Sequence, residues 1–456
     1  MPSPLEKINT IILVMFENRS FDHMLGHLTL DDPSIKADGL KLPLTNYSNV
    51  YQGHFYPPFE IDNDSTLESD IPHEYNYVDI QLARSPVNSA FQMTGFVEAY
   101  SKFTNENPNP QCEPMGYFNS HQIPVTDFLA KNFCLCNNWH APLPTSTQPN
   151  RTMAFCGDSK IHDTATRLIP IDDSIFDWMD RNRISWRVYH DGLSFFVLYE
   201  KLWKYVLSDN FRSYKYFASD MLNEPEDKTP QVIIIEPTYQ DAPQIGSNHP
   251  NDNHAPLAIG WGEDFLRRIY ESLTANKVKY GKTATIIYYD EHGGFYDHKP
   301  PPLLPYNTKE TPAFNFKSLG PRIPGIIISP FVQKGSVCDS LLDHTSVLQM
   351  LAEKFTPGNP YNDTVNYRRR QNPGIASISD ALNNDVYWEP PPSPSQAIEV
   401  KSALGLSIQV SDSQPMSQSF DFAMNQMLGA NLNATTQKYP EIIEWQNAKN
   451  NRAKIV

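Results

Sequence analysis

Four short runs of apolar, mostly β-branched residues constrain the fold of this 456-residue chain more than any other feature of its sequence. Each run ends abruptly in polar residues or in proline. The runs are Ile8–Phe16, Gln231–Ile235, Thr283–Tyr289 and Ile323–Ser329. Strands that are apolar throughout are typical of parallel sheets with both faces covered by helices. The runs therefore predict a buried, mostly parallel sheet.

Helical patterns between these runs place the chain in the α/β class. Trp261–Asn276 carries one apolar stripe, and Ser346–Phe355 begins with a Ser346–Gln349 capping box. Towards the C-terminus, a proline-rich connector at 387–395 precedes two polar helices, predicted over Phe420–Leu428 and Tyr439–Ala448. We expect a catalytic domain over 1–360, with the connector and helical region of 361–456 packed on it.

The net charge of the chain restricts the classes of molecule that it can bind. The chain carries 37 basic and 52 acidic side chains, a formal charge of −15. A surface of this sign repels phosphate backbones and anionic lipid headgroups, which argues against nucleic-acid binding. No window approaches the roughly 18–20 apolar residues of a membrane span. We expect a soluble protein, either cytoplasmic or secreted with its signal already removed, and leave its oligomeric state open.

Oxygen-bearing side chains follow two of the apolar runs directly. Glu17 and Asn18 come after the first run, and Asp290 and Glu291 come after the third. In open parallel sheets, ligands bind beyond the carboxyl ends of the strands. Buried carboxylates need a compensating positive charge, and oxygen-rich sets favour hard cations. The pattern predicts a site for one divalent or trivalent metal ion, with solvated strand ends that cap helices as the alternative.

Six motifs in a fixed order resemble the phosphoesterase family of bacterial phospholipases C, plant non-specific phospholipases C and a bacterial acid phosphatase. The resemblance covers roughly residues 8–360. The motifs are VMFENRSFDHMLG (14–26), PTSTQPNR (144–151), DNHAP (252–256), YYDEHGGFYDHKPPP (288–302), GPRIPGIIISPFV (320–332) and DHTSVLQMLAEKF (343–355). The resemblance implies an alkaline-phosphatase-like α/β fold and hydrolysis of phosphate esters by a hydroxyl nucleophile beside a metal ion.

The resemblance also implies roles for the residues of the nucleophile loop. Thr147 is the expected nucleophile and a metal ligand, with Thr145 and Ser146 left open as alternatives. Coordination to a cation lowers the pKa of a hydroxyl and makes it an effective nucleophile. Asn150 and Arg151 are expected to bind the phosphate oxygens of the substrate or to hold the loop. The remaining implied metal ligands are Glu17, Asn18, Asp290 and Glu291.

Histidines supply the expected proton transfers. The resemblance points to His254 as a phosphate ligand or proton-transfer group, and to His190 and His73 as residues of the substrate site. One of the three is expected to protonate the leaving alkoxide. His292 and His298 belong to the DEHGGFYDH motif, and we expect them to organise its loop through hydrogen bonds.

These observations predict a metal-dependent phospholipase C that cleaves the glycerol-side phosphodiester bond of phospholipids, of the phosphatidylcholine type. The metal is Ca, Mg, Mn, Fe or Zn. The first alternative is an acid phosphatase of broad specificity for phosphate monoesters. The second is a catalytically silent protein that binds phosphate or lipid. The expected partners are a phospholipid or phosphate-ester substrate and, transiently, a membrane surface.

Overall fold

The computed structural model describes residues 3–61, 70–87, 90–243, 249–304, 316–395, 414–444 and 446–447. Its strands are β1 Thr10–Phe16, β2 Asn49–Tyr51, β3 His54–Tyr56, β4 Phe59–Glu60, β5 Gly116–Tyr117, β6 Cys134–Cys136, β7 Trp186–His190, β8 Phe211–Ser213, β9 Val232–Glu236, β10 Thr283–Tyr289, β11 Gly325–Ile328 and β12 Val337–Cys338.

The helices alternate with the strands along most of the chain, as the sequence predicts for an α/β protein. They are α1 Pro4–Lys7, α2 Phe21–Leu25, α3 Leu28–Asp31, α4 Tyr75–Leu82, α5 Phe96–Thr104, α6 Pro124–Asn132, α7 Thr147–Cys156, α8 Ile175–Arg181, α9 Trp203–Val206, α10 Phe217–Asn223, α11 Gly260–Ala275, α12 Lys277–Tyr280, α13 Thr345–Phe355, α14 Asp363–Arg369 and α15 Pro415–Lys438.

Eight strands form the central sheet in the order β12-β6-β11-β10-β1-β9-β7-β8. Every neighbouring pair is parallel except the two pairs that involve β11. Every residue of β1, β9 and β10 is buried. The apolar runs are therefore continuous because both faces of the sheet are covered, and the mostly parallel α/β architecture is confirmed.

Two successive tyrosines of β10 show that the covering elements lie on opposite faces. The Tyr289 ring stacks on Phe16, whose ring contacts Phe265 of α11. The Tyr288 ring packs against Trp139 and against His344, which precedes α13. Since successive side chains of a strand point to opposite faces, α11 and α13 cover different sides of the sheet.

Two local predictions are wrong. The fourth apolar run forms a strand only over Gly325–Ile328, since Pro324 has no N–H to donate. This strand is antiparallel to its neighbours, because a run buried on both faces carries no information about strand direction. Helix α13 begins at Thr345 without the predicted capping box. Instead, the Thr345 N–H donates to Asp343 Oδ1, and the Ser346 hydroxyl accepts from the Asp343 N–H.

The parallel arrangement brings five loops to one edge of the sheet, which we call the carboxyl edge. The loops follow β1, β6, β7, β9 and β10. The predicted site residues lie in these loops, at the end of β7 or in the first turns of α7. The exception is His73, which belongs to the long segment between β4 and β5. Their meeting point is the place at which an open parallel sheet binds ligands.

The C-terminal helix α15 packs on the rest of the protein. Met416, Phe420 and Met424 belong to the same apolar core as β1 and β10. This helix is longer than predicted, and of the second predicted helix, Tyr439–Ala448, residues 442–444 and 446–447 are helical while Ala448 lies outside the described residues. The division of the chain at residue 360 stays a prediction.

Within the described residues, none of the helices has the length and apolarity required to cross a bilayer.

Candidate active site at the carboxyl edge of the sheet

The loops after β1 and β10 are joined by close backbone contacts. The Asp290 N–H donates to the Phe16 carbonyl at 3.1 Å, and the Asn18 N–H donates to Asp290 Oδ1 at 3.0 Å. Asn18 has a φ of 58°, and Gly293 has a φ of 62°. A Cβ at Gly293 would lie 2.1 Å from the Asn18 carbonyl oxygen. The glycine after the Asp-Glu-His sequence is therefore required for the close approach of the two loops.

Arg151 of α7 lies between two of the predicted metal ligands. Its Nη2 is 3.1 Å from Glu17 Oε1, and its Nε is 3.2 Å from Asp290 Oδ2. Its Nη1 donates to the Tyr239 hydroxyl at 2.9 Å, and the guanidinium lies over the rings of Phe195 and Tyr239. Arg151 is only 1% exposed. The guanidinium therefore neutralises part of the buried negative charge.

The charge of the carboxylates exceeds what Arg151 compensates. Burial raises the pKa of Glu17 well above its ordinary value, although Arg151 opposes this, and it likewise raises the pKa of Asp290. Burial also disfavours the Glu291 carboxylate, but His73 and His292 outweigh it and lower the pKa of Glu291. Ionised oxygens held together without water are stable only beside positive charge.

Glu291 Oε1 is buried and finds no hydrogen-bond donor among the described residues. His73 Nε2 lies 4.0 Å from it and 3.4 Å from Asn18 Nδ2. A buried carboxylate oxygen without a donor is a ligand atom that a hard cation would satisfy. The predicted ligands Glu17, Asn18, Thr147, Asp290 and Glu291 offer only oxygen or amide atoms, the type that a hard cation prefers. Among the described residues, however, the three carboxylates are not one of the groups whose ligating atoms lie within 4.8 Å of one another, and their role as metal ligands stays a prediction.

Three hydroxyl groups lie in the nucleophile loop, and they point to different places. The Thr145 hydroxyl donates to the His162 carbonyl at 2.6 Å, and the Ser146 hydroxyl donates to Asp163 Oδ1 at 2.5 Å. The Thr147 hydroxyl donates to Asn18 Oδ1 at 3.2 Å. Thr147 is the first residue of α7 and is 2% exposed. Of the three, it is the hydroxyl that contacts a predicted metal ligand, the Asn18 amide.

Asn150 holds the nucleophile loop in place. Its Oδ1 accepts from the Leu143 N–H, and its Nδ2 donates to the carbonyls of Thr145 and Ser146. These bonds direct both ends of its amide into the loop that carries Thr147. The expected roles of Asn150 and Arg151 in binding the phosphate group stay predictions.

His254 and His73 lie close together beside the cluster, with ring centroids 6.0 Å apart. Burial disfavours protonation of His73, but Glu291, Asp70 and Glu74 outweigh it and raise its pKa to about 10. Burial likewise opposes protonation of His254, and nearby aspartates outweigh it and raise its pKa. The surrounding carboxylates therefore favour the protonated form of both rings, the form that can donate a proton.

His190 lies apart from this group. It ends β7, two strands along the sheet from β1, and its ring packs against Tyr439. Its Nδ1 lies 2.8 Å from the Gly192 carbonyl, and burial lowers its pKa to about 4. Its expected role in the substrate site stays a prediction.

The other two motif histidines organise their loop, as expected. His292 Nε2 lies 2.8 Å from Gln81 Oε1, and His298 Nδ1 lies 2.7 Å from Asp22 Oδ2. These contacts tie the loop after β10 to helix α4 and to helix α2.

Asp22, Asp297 and His298 form a second buried cluster, which we call the Arg322 cluster after its central cation. Arg322 is fully buried, and its Nε donates to Asp297 Oδ1 at 2.9 Å while its Nη2 lies 3.3 Å from Asp22 Oδ1. A looser group consists of His27, Asp31 and Asp127. In the part of the chain that the structure describes, each of these two groups holds three potential metal-ligating atoms within 4.8 Å of one another.

Several residues around the site escape sequence reasoning. Tyr239 has no motif around it, and only its contact with Arg151 identifies it. The DNHAP motif could have identified Asp252, which belongs to it. The Asp252 carbonyl accepts from the Glu17 N–H, and its side chain accepts from the N–H groups of Gln240 and His254. Gln148, next to Thr147, donates to Ser419 of α15 at 3.0 Å.

Solved structures are similar to this chain at low TM-scores. A protein of the alkaline phosphatase superfamily from Vibrio parahaemolyticus has a TM-score of 0.32 and 12% identity, with 51% of this chain and 60% of that chain covered. The lipoteichoic acid synthase LtaP from Listeria monocytogenes has a TM-score of 0.30 and 15% identity, with coverages of 53% and 69%.

Curated relatives are similar over most of the chain. Non-specific phospholipase C3 of Arabidopsis thaliana is 28% identical, with 77% of this chain and 70% of the relative covered. Non-specific phospholipase C1 of the same plant is 31% identical. The match covers 72% of this chain but only 62% of the length of that relative. The hemolytic phospholipase C of Pseudomonas aeruginosa is 27% identical, with coverages of 84% and 60%.

The model of the phosphoesterase family matches residues 8–356, a range that contains the carboxylates, the hydroxyls and the histidines described above. The match covers far more than half of the chain and includes every loop of the carboxyl edge. The chain therefore belongs to the phosphoesterase family, and it is a phosphoric ester hydrolase.

Proposed function

We propose that the protein is a metal-dependent phospholipase C that cleaves the glycerol-side phosphodiester bond of phosphatidylcholine-type lipids through Thr147. The observation that carries the proposal is the 3.2 Å hydrogen bond from the Thr147 hydroxyl to Asn18, beside three buried carboxylates. The plant and bacterial relatives that bear the name phospholipase C support the diester over the monoester as substrate.

The residues around Thr147 form a suitable binding site for the phosphate group of the substrate. Thr147 opens a ten-residue helix, and the first N–H groups of a helix favour bound anions. Glu17, Asn18, Asp290 and Glu291 would hold the cation together with Thr147. When bound, the cation would lower the pKa of the threonine hydroxyl and neutralise charge on the phosphate.

The chemistry then consists of two displacements at phosphorus. The Thr147 hydroxyl loses its proton to solvent, its oxygen forms a bond to phosphorus, and the bond from phosphorus to the glycerol oxygen breaks. His73 or His254 gives its proton to the leaving oxygen, which departs as the hydroxyl of diacylglycerol. Water next forms a bond to phosphorus while the bond from phosphorus to the Thr147 oxygen breaks. The same histidine accepts one proton of that water, the Thr147 oxygen regains its proton from solvent, and the phosphorylated headgroup leaves.

A comparison of two chromogenic substrates tests the proposal. We expect the wild type to hydrolyse p-nitrophenyl phosphocholine faster than p-nitrophenyl phosphate. Thr147→Ala should lose at least about a thousandfold in kcat, because it removes the nucleophile. Thr145→Ala is the matched control, since its hydroxyl donates to His162, and we expect its kcat to stay within about threefold of the wild type.

Each contrary result has a defined meaning. Hydrolysis of the monoester alone would show an acid phosphatase instead of a phospholipase C. A Thr147→Ala variant with wild-type kcat would assign the nucleophile to another hydroxyl. A folded wild type that cleaves neither substrate with any added divalent or ferric ion would contradict the proposal and favour the silent binding protein.

A further inference from the structure

The β-hairpin formed by β2 and β3 exposes a pair of apolar side chains. Val50 and Phe55 are directly opposite each other in the hairpin register. They are 53% and 72% exposed. Val50 and Phe55 therefore form one apolar face directed to solvent, and an apolar pair exposed in this way indicates a binding surface more often than isolated apolar residues do.

The inner face of the hairpin explains why its register is fixed. Asn49 is fully buried: its Nδ2 donates to the Met93 carbonyl at 3.2 Å, and its Oδ1 accepts from the Phe96 N–H, the first of helix α5, at 2.8 Å. A slip of one residue would expose Asn49 and leave these backbone groups without their partner. The apolar pair is thus held outwards by a buried polar anchor.

The hairpin turn projects away from the rest of the protein. Gln52 and Gly53 form the turn with φ angles of 49° and 81°. A Cβ at Gly53 would meet no atom within 4 Å. The turn is therefore free to approach a surface without moving any neighbouring element.

The charge around the hairpin differs from that of the whole protein. The chain contains 52 acidic residues in 456, yet residues 39–59 contain none, and Lys41 is the single formally charged side chain in this segment. The same segment contributes four aromatic side chains beside Phe55, at positions 47, 51, 56 and 59. Tyr56 belongs to the hydrophobic core beneath the hairpin, and Tyr47, Tyr51 and Phe59 pack against that core. The aromatic residues therefore support the hairpin from below, and Val50 and Phe55 are its apolar side chains directed to solvent.

Contacts connect the hairpin to the candidate active site. Phe96, whose N–H binds Asn49, packs its ring against His292 at 6.2 Å and against Tyr296 at 5.3 Å. Tyr47, in the turn before β2, packs against His298 at 5.4 Å. One layer of side chains therefore separates the hairpin from the loop that carries Asp290 and Glu291.

We propose that this hairpin docks the protein on the surface of zwitterionic phospholipid membranes by inserting Val50 and Phe55 between the headgroups. The choice of a phospholipid surface as the partner rests on the proposed function. The absence of acidic residues over 39–59 supports a zwitterionic surface, because it removes repulsion from the lipid phosphates. Docking brings lipid to the active site but leaves the chemistry at Thr147 unchanged.

Co-sedimentation with phosphatidylcholine vesicles tests the docking. The double variant Val50→Ser/Phe55→Ser should bind at least about tenfold more weakly than the wild type, because each apolar side chain contributes favourably when it leaves water. Its hydrolysis of dispersed p-nitrophenyl phosphocholine should stay within about twofold of the wild type, whereas its hydrolysis of vesicle phosphatidylcholine should fall in proportion to binding. Val278→Ser is the matched control, since Val278 is 58% exposed on α12, before β10.

A second variant keeps the test valid if the serine pair unfolds the hairpin. Gln52→Glu/His54→Glu retains the apolar pair and adds two carboxylates at the turn, so that it should also weaken vesicle binding at least about tenfold. Circular dichroism and thermal melting establish that each variant is folded.

Several results would overturn the docking proposal. These are a wild type that does not sediment with vesicles, hairpin variants that bind as well as Val278→Ser, and a change of oligomeric state in the hairpin variants with vesicle binding intact. The last result would assign the pair to a contact between two copies of the chain. Vesicle binding that depends on the hairpin, in a protein that cleaves neither chromogenic substrate, would support the docking and contradict the proposed phospholipase activity.

Discussion

Two buried clusters of charge lie in the loops at the carboxyl edge of the sheet, and they differ in how well their charges are satisfied. In the Arg322 cluster, Asp22 Oδ2 accepts from the His298 N–H, and Asp297 Oδ2 accepts from the Asp22 N–H. Arg322 itself donates to the carbonyls of Asp38 and Asn137 as well as to the carboxylates. All four carboxylate oxygens of Asp22 and Asp297 have donors.

The strand-end cluster of Glu17, Asn18, Thr147, Asp290 and Glu291 is built from similar residues but is incomplete. Arg151 contacts Glu17 and Asp290, yet Glu291 Oε1 finds no donor within the described part of the chain. Clustering of carboxylates by itself therefore does not identify a metal site, since the Arg322 cluster is the tighter of the two. The informative feature is a buried oxygen that the protein leaves unsatisfied.

The largest expected difference between the clusters concerns catalysis. Glu291→Gln should reduce kcat at least about a thousandfold, because a metal ion supplies several kcal/mol of transition-state stabilisation. The free energy of unfolding should fall less than in the Arg322 cluster, because the change removes the charge partner of His73 and His292 but also one of several like charges. Steady-state kinetics and urea unfolding measure the two effects, and a kcat close to that of the wild type would remove Glu291 from the proposed ligands.

Breaking the Arg322 cluster should reduce stability strongly and kcat only slightly. Arg322→Met leaves Asp22 and Asp297 buried without their cation, which should lower the free energy of unfolding by about 3–5 kcal/mol. The kcat of the molecules that remain folded should change by less than about tenfold, a far smaller loss than at the strand-end cluster. Urea unfolding and kinetics at low temperature measure this, and a large loss of kcat without loss of stability would make the Arg322 cluster the catalytic one.

Removal of the metal ion should affect only one of the two clusters. At a free metal concentration of 100 times Kd, the ion should stabilise the wild type by about 2.7 kcal/mol. Calorimetry after treatment with a chelator and again after addition of Ca²⁺, Mg²⁺ or Mn²⁺ measures the shift. Asp297→Asn should retain the shift and Glu291→Gln should lose it; the reverse pattern would place the ion in the Arg322 cluster.

The smallest effect is the pH dependence of stability in the Arg322 cluster. Burial disfavours protonation of His298, but Asp22, Asp38 and Asp297 outweigh it and raise its pKa to about 10. Since this pKa is higher in the folded protein than in the unfolded chain, the stabilisation is complete below about pH 6.5 and is lost as the pH rises towards 10.

Between pH 7 and 9 this loss should be on the order of 2 kcal/mol. Urea unfolding as a function of pH should show the slope in the wild type and a smaller slope in His298→Asn. Equal slopes in the two proteins would exclude His298 as the titrating group.

The sequence predicted the elements of the sheet well, and it predicted strand direction and helix capping poorly. β10 begins and ends where its apolar run does. β11, which is also buried throughout, runs in the opposite direction. The difference follows from physics: burial on both faces selects apolar residues whatever the direction of the neighbouring strand. The Ser346–Gln349 pattern likewise predicted a cap that Asp343 supplies instead.

In the candidate site, too, the sequence predicted some residues and missed others. Motifs identified Glu17, Thr147, Asp290 and Glu291, because they follow strands or stand in long, specific motifs. No pattern in the sequence identified Tyr239, which is 88 residues from its partner Arg151. His190, which the resemblance placed in the substrate site, packs against Tyr439, and its role awaits a test.

The sequence by itself determined the α/β class, the buried sheet, the residues at the carboxyl ends of its strands and the family. These follow from local patterns, since burial selects apolar runs and specific chemistry selects specific motifs. Only the tertiary structure decided which carboxylates are already neutralised, because Arg151 and Arg322 reach their partners across large separations in the chain. The same is true of the three hydroxyls of the nucleophile loop, since the direction of each depends on Asn18, His162 and Asp163, which lie elsewhere in the sequence.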